Sequence, residues 1–282
     1  MKKHILAFVF MLGAVLFLSC QKAHTENADI TEASSVPETD CMTTEISEIG
    51  DEHPTLIAHA GGAVYGYRLT NSLEALDCAY ENGFRVFELD FEVTSDGEYV
   101  LIHDWESMAD RMLFREGKQT FQEFKSGDTF ASLTLLSLHD LLHWLAEHGD
   151  CRIVTDAKCG NDPFLSELYN TADVLSDRFI PQVYTYDEYA MAKNIGFERV
   201  ILTLYRMTVV EDELVDFARK EKPWAITIPK NGITEKLVSR LAGSGVVTYA
   251  HTINDLFLYE EWSEWGLYGI YTDYFSPKKW VY

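Results

Sequence analysis

At 282 residues the chain exceeds a typical single domain but fits one α/β barrel, and its 47 % apolar content can supply a sizeable core. The formal net charge of −22 repels polyphosphate, which argues against a nucleic-acid partner and suits a protein that binds a divalent cation.

Residues 1–20 open with Lys2 and Lys3 and continue through an apolar run from Ile5 to Leu18, the layout of an export signal and too short for a comfortable membrane span. The end of this segment, Leu18-Ser19-Cys20, resembles a bacterial lipoprotein signal, in which Cys20 would carry the lipid; plain secretion is the alternative. Residues 21–52 hold nine Asp or Glu against one Lys and few large apolar side chains, so they read as a solvated acidic tether. The chain is therefore expected to be exported and held to a membrane by a lipid anchor, with residues 53–282 forming the folded part. Cys41, Cys78, Cys151 and Cys159 show neither a disulfide framework nor zinc spacing. Cys151 and Cys159 flank one predicted strand, roughly 26 Å apart when extended, and cannot bond to each other.

From residue 53 onward, β-branched and aromatic runs alternate with segments of helical period. The predicted strands are Thr55–His59, Arg85–Asp90, Arg152–Lys158, Phe179–Tyr184, Arg199–Leu204, Trp224–Ile228, Val246–Thr252 and Gly269–Asp273. Eight strands with intervening helices predict a (β/α)8 barrel. Helices are expected from an Asn71 cap to Asn82, along the Leu138-Leu141-Leu142-Leu145 stripe, and over Pro163–Asp177, Asp187–Asn194, Glu211–Lys220, Thr234–Ala242 and Asn254–Trp265. The stretch ELDFEVTSDGEYVLIHDW, Glu88 to Trp105, reads as a β-hairpin insertion after the second strand. Its Ser95-Asp96-Gly97 turn sends the chain back to His103.

Barrel enzymes carry their chemistry at the carboxyl ends of the strands. Those ends supply His59, Glu88, Asp90, Asp156 and Lys158, with Gln182 and Tyr184 on the fourth predicted strand. Convergent carboxylates do not all stay ionised without a cation, and a set of carboxylate oxygens suits Mg²⁺ or Ca²⁺. Glu92 lies further along the hairpin and leaves Glu88 and Asp90, joined by Asp156, as the expected metal ligands. His59 and His103 on either side suit proton transfer in both directions. Lys158 can neutralise phosphate charge or pair with Asp156 or Glu88, and Gly61-Gly62 permits close backbone approach to an anion. His139 and His143 are better read as a solvated helix face than as metal ligands, His251 is left undecided, and Asp273 is expected to cap a loop.

With these residues in place the chain resembles the glycerophosphodiester phosphodiesterase family. His59-Ala60-Gly61-Gly62 is similar to that family's His-Arg-Gly-Gly, Thr70-Asn71-Ser72 to Glu-Asn-Thr, and Glu88-Leu89-Asp90 through His103-Asp104 to its most specific block; Asp156-Ala157-Lys158 is similar to Glu-x-Lys, and Thr272-Asp273 to Thr-Asp. The resemblance implies His59 and His103 as the acid–base pair, Glu88, Asp90 and Asp156 as metal ligands, and Lys158 on phosphate, with Gly61, Gly62, Asn71 and Gln182 lining the substrate site. Ala60, Thr70 and the shorter Asp156 depart from the pattern, and Arg68 is the expected replacement for the arginine missing at Ala60. The implied substrate is a small-molecule phosphodiester or a phospholipid head group. Action on intact lipid and a binding lipoprotein without turnover are the alternatives.

Overall fold

The strands form where β-branched and aromatic residues recur. In the computed structural model, which describes residues 53–108 and 117–279, they are β1 (Leu56–Ala58), β2 (Val86–Val93), β3 (Tyr99–Leu101), β4 (Arg152–Ala157), β5 (Phe179–Val183), β6 (Ile201–Thr203), β7 (Ala225–Pro229), β8 (Thr248–His251) and β9 (Gly269–Thr272). The expected signal at 1–20, the lipidation at Cys20 and the tether at 21–52 lie outside the described residues. The strand order is β1-β9-β8-β7-β6-β5-β4-β2-β3, and an additional β1–β2 pairing closes eight parallel strands into a barrel. β3 stands outside the ring and pairs antiparallel with the far half of β2, Phe91 opposite Leu101 and Val93 opposite Tyr99. The architecture is the (β/α)8 barrel with a hairpin after the second strand that the apolar spacing predicts.

The helices are α1 (Leu73–Glu81), α2 (Trp105–Met108), α3 (Phe121–Lys125), α4 (Leu138–Glu147), α5 (Asn161–Ala172), α6 (Tyr186–Ile195), α7 (Glu211–Glu221), α8 (Glu235–Ala242) and α9 (Leu256–Glu264). Ser72, not Asn71, caps α1, its Oγ accepting from the Ala75 N–H. α5 ends at Ala172 rather than Asp177, because Asp173 turns to φ 48° and the chain goes on in 3₁₀ turns to Arg178. The short helices α2 and α3 follow the hairpin where the apolar spacing announces none. Cys78, Cys151 and Cys159 are free thiols.

Two apolar layers fix the barrel. The larger lies between strands and helices, where Phe87 and Phe91 of β2 meet Trp144 and Phe164 respectively. The second fills the amino-terminal end of the barrel interior with one side chain from each barrel strand: Ile57, Val86, Val154, Ile180, Ile201, Ala225, Tyr249 and Tyr271. Strand side chains alternate between faces, so the residue two positions on points to the same interior. At all eight strands that residue is polar: His59, Glu88, Asp156, Gln182, Thr203, Thr227, His251 and Asp273. An apolar plug thus carries a polar floor facing the carboxyl ends.

Candidate active site

On that floor Glu88, Asp90 and Asp156 are all buried, and one oxygen from each lies within 4.8 Å of the others. β2 and β4 run in register, Glu88 beside Val154 and Asp90 beside Asp156, which brings the second and third carboxylates together. The nearby cation is Lys158, whose Nζ lies 2.6 Å from Asp156 Oδ2 and 3.0 Å from Asp90 Oδ1. Burial and then the Asp90 charge push the Glu88 carboxyl up to about 8. Burial would raise Asp90 as well, but Lys158, the two histidines and the Asn71 amide hold it below the usual carboxylate range. Lys158 is itself raised, the charges of Asp90 and Asp156 outweighing its burial. Glu88 Oε1 is buried with no hydrogen-bond partner. Three buried carboxylates with one free oxygen fit a hard divalent cation, for which Glu88, Asp90 and Asp156 are the candidate ligands.

The two histidines are each fixed by an aspartate. His59 Nδ1 lies 2.8 Å from Asp273 Oδ1, and its Nε2 points inward, 3.9 Å from Glu88 Oε2. Burial would raise the Asp273 carboxyl, but the His59 hydrogen bond and charge keep it low; an ionised carboxylate only accepts, so Nδ1 carries the proton. Burial lowers the His59 imidazole, yet the Asp273 hydrogen bond and the charges of Glu88, Asp273 and Asp90 leave it above the ordinary histidine value. His103 is arranged in the same way, Nδ1 lying 2.6 Å from Asp104 Oδ2. Asp104 also caps α2 by accepting from Ser107, and the buried Ile102 and Trp105 on either side anchor this return leg in a small core of their own.

Both imidazoles, Asp156, Lys158, Gln182 and Tyr184 line one cavity of about 330 Å³. Other expected site residues sit elsewhere. Asn71 is fully buried and turned to Asp90, its Nδ2 donating to Asp90 Oδ2 at 2.9 Å and its Oδ1 accepting the Asp90 N–H at 3.0 Å. It therefore orients a carboxylate instead of facing substrate. Gly61 and Gly62 do not line the cavity: they have φ of 80° and 91°, the Gly62 N–H is spent on the His59 carbonyl, and a Cβ on Gly61 would meet Ala75 Cβ at 3.3 Å. Their role here is close packing of the turn on α1. Arg68 also stays off the cavity wall and pairs with Asp273 Oδ2 at 3.6 Å.

Sequence reasoning missed or misjudged three partners. Asp273 is the buried support of His59 and not a loop cap. His251 stacks edge-on against His59 with ring centres 4.7 Å apart, and burial, then His59, press it down to about 3, so it stays neutral. Tyr184 donates its hydroxyl to Asp156 Oδ1. The signal that could have found Asp273 and His251 is parity, since each lies two residues beyond an aromatic of the plug. Exposed His139 and His143 stay on α4, where His143 faces Glu147 at 3.6 Å.

The glycerophosphoryl diester phosphodiesterase family model matches residues 59–201 of this chain, from His59 to the first residue of β6. The chain belongs to that family. It is thus a phosphoric diester hydrolase, and the block that the family model spans contains both histidines and all three carboxylates. Solved structures share the fold. A phosphodiesterase from Oleispira antarctica, in complex with the product sn-glycerol-3-phosphate, has a TM-score of 0.64 at 21 % identity over 80 % of this chain and 94 % of its own. A glycerophosphodiester phosphodiesterase from Thermotoga maritima has a TM-score of 0.60 at 20 % identity, over 79 % and 95 %. One from Parabacteroides distasonis has 0.62 at 18 %, over 79 % and 84 %.

Proposed function

We propose that this phosphodiesterase hydrolyses glycerophosphodiesters with the help of a divalent cation, His59 and His103 moving the protons. The observation that carries the reading is one cavity walled by two aspartate-held histidines and reached by a buried three-carboxylate cluster. Because Asp273 and Asp104 occupy the Nδ1 atoms, the Nε2 atoms remain to react. One imidazole takes the proton of the attacking water or of the substrate's neighbouring hydroxyl; the other gives a proton to the leaving alkoxide. Glu88, Asp90 and Asp156 would hold the cation, which when bound draws charge from the phosphoryl oxygens. Lys158, Nζ between Asp90 and Asp156, adds a fixed positive charge beside the phosphate. Asn71 keeps Asp90 in place, and the apolar plug closes the barrel beneath the reacting groups.

Incubating the chain with glycerophosphocholine, glycerophosphoinositol and intact phospholipids, in Mg²⁺, Ca²⁺ or EDTA, tests the proposal. Metal-dependent release of sn-glycerol 3-phosphate, abolished in both His59→Ala and His103→Ala, is the expected result. A properly folded chain with no metal-dependent turnover would leave a binding protein instead. Action on head groups at a lipid surface is a second reading, favoured by exposed Tyr65, Tyr205 and Tyr274 in loops after β1, β6 and β9, and by exposed Phe257 in the first turn of α9, which follows β8. Export and lipidation at Cys20 would place the barrel at such a surface, and labelling by a radioactive fatty acid, lost in Cys20→Ala, checks it.

A further inference from the structure

The cavity has to hold a phosphodiester anion beside several carboxylates, so the cations on its wall decide affinity. Two side chains with permanent positive charge line it, Lys158 and Arg206. The Lys158 ammonium is engaged by two carboxylates, at 2.6 and 3.0 Å. Ala60 brings no cation, and its N–H is spent on Glu88 Oε2. Arg68 pairs with Asp273 away from the cavity wall.

Arg206 differs from all of these. It sits in the loop after β6, three residues beyond the interior-facing Thr203, and its guanidinium lies 4.3 Å from the centre of the Tyr184 ring. No described carboxylate is paired with it. Tyr184 is at the same time the donor to Asp156, so one aromatic ring links the guanidinium to the carboxylate cluster. Stacking on that ring restricts a long, entropy-rich side chain and leaves its five N–H donors at the edge of the plane free for an anion.

We propose that Arg206 is the anion clamp of this site, its guanidinium donating to the non-bridging oxygens of the bound phosphodiester and of the phosphomonoester product. The inference rests on the hydrolase reading for its substrate, but phosphate binding tests it separately. A guanidinium fork matches two phosphoryl oxygens, whereas the ammonium of Lys158 is already shared between two acids. Arg206 comes from a loop that the family resemblance does not cover with any motif, so this chain recruits its phosphate grip from β6, on the opposite side of the barrel from β1, whose following residues include Ala60.

The test is titration calorimetry of inorganic phosphate and of sn-glycerol 3-phosphate into the full wild-type, Arg206→Ala and Arg206→Lys chains, with steady-state hydrolysis of glycerophosphocholine alongside. Loss of one charge-assisted clamp is expected to weaken phosphate binding and raise KM by roughly 10- to 100-fold, with a much smaller change in kcat. Arg206→Lys should recover part of the affinity, since charge returns without the fork. Arg206 is exposed, so thermal melting should be unchanged. Phosphate affinity and KM of Arg206→Ala within about twofold of wild type, or no phosphate binding by wild type, would overturn the clamp. Arg206-dependent phosphate binding by a chain that turns over no phosphodiester would keep the clamp and remove the hydrolase reading.

Discussion

Replacing Asp273 by Asn tests the histidine geometry most directly, because the surrounding hydrogen bonds dictate how the new amide must sit. Asn254 Oδ1 accepts from Thr272 Oγ1 and from the Asp273 N–H, each at 2.9 Å, so its Nδ2 has to be the group that donates to Asp273 Oδ2 at 2.7 Å. In Asp273→Asn the carbonyl oxygen must therefore face Asn254, and the NH₂ faces His59 Nδ1. His59 is then forced to accept at Nδ1 and carry its proton on Nε2, the reverse of the tautomer that the aspartate imposes. Losing the charge-assisted bond costs about 1.5–3 kcal/mol for the protonated imidazole. With the wrong tautomer added, kcat should fall roughly 10²- to 10⁴-fold while KM changes little. Steady-state kinetics on glycerophosphocholine measures this, and imidazole ¹⁵N shifts of His59 report the tautomer. A kcat within about threefold of wild type, or an unchanged tautomer, would refute the argument. The same pair has a pH signature in metal-free protein. The depressed Asp273 contributes stability above the ordinary aspartate value that is lost as pH falls; the raised His59 contributes stability below the ordinary histidine value that is lost as pH rises. The melting-temperature gap between wild type and Asp273→Asn should thus be widest between about pH 4 and 6.5.

Three further outcomes are expected. Because burial and Asp90 hold Glu88 at about 8 in the free site, most of the chains carry that proton at pH 7, and binding of Mg²⁺ or Ca²⁺ should release about one proton. Calorimetry in two buffers of different ionisation enthalpy counts it, and zero release would contradict the buried-triad assignment. Tyr184→Phe removes the hydroxyl that orients Asp156 and should lower divalent-cation affinity about 10- to 100-fold with the fold intact, as read by cation titration. Gly269→Ala places a Cβ at 2.5 Å from the Thr55 carbonyl oxygen and 2.7 Å from Tyr249 Cε1, where β9 passes β1. It should destabilise by about 1–3 kcal/mol or more, seen as a drop of several degrees in melting temperature, whereas an unchanged melt would show that this crossing is looser than described.

The carboxylates were legible because their cause is local. Glu88 and Asp90 alternate with Leu89 and Phe91, and period two alone separates an interior face from a helix-covered face. The hairpin was legible for a similar reason, a turn triplet between two apolar runs that ends on His103. Asn71 was misread because its sequence context looks like a helix cap; only the fold shows that Asp90 competes for the same amide and wins with two hydrogen bonds. Arg68 was misread because a loop arginine near a histidine motif says nothing about which acid it meets, and Asp273 captures it from 205 positions away in sequence.

By itself the sequence determined the element order, the hairpin and the rule that each interior strand position is apolar below and polar above. Such patterns follow from backbone geometry over a few residues. What only the tertiary structure decided is which polar groups become partners. Closure of the barrel lays β1 beside β9, Ala58 opposite Thr272, and so hands His59 to Asp273. The hairpin and α2 turn His103 onto the same cavity, and the loop after β6 sets Arg206 against Tyr184. These pairings depend on strand register and loop closure across the ring, which no short stretch of residues encodes.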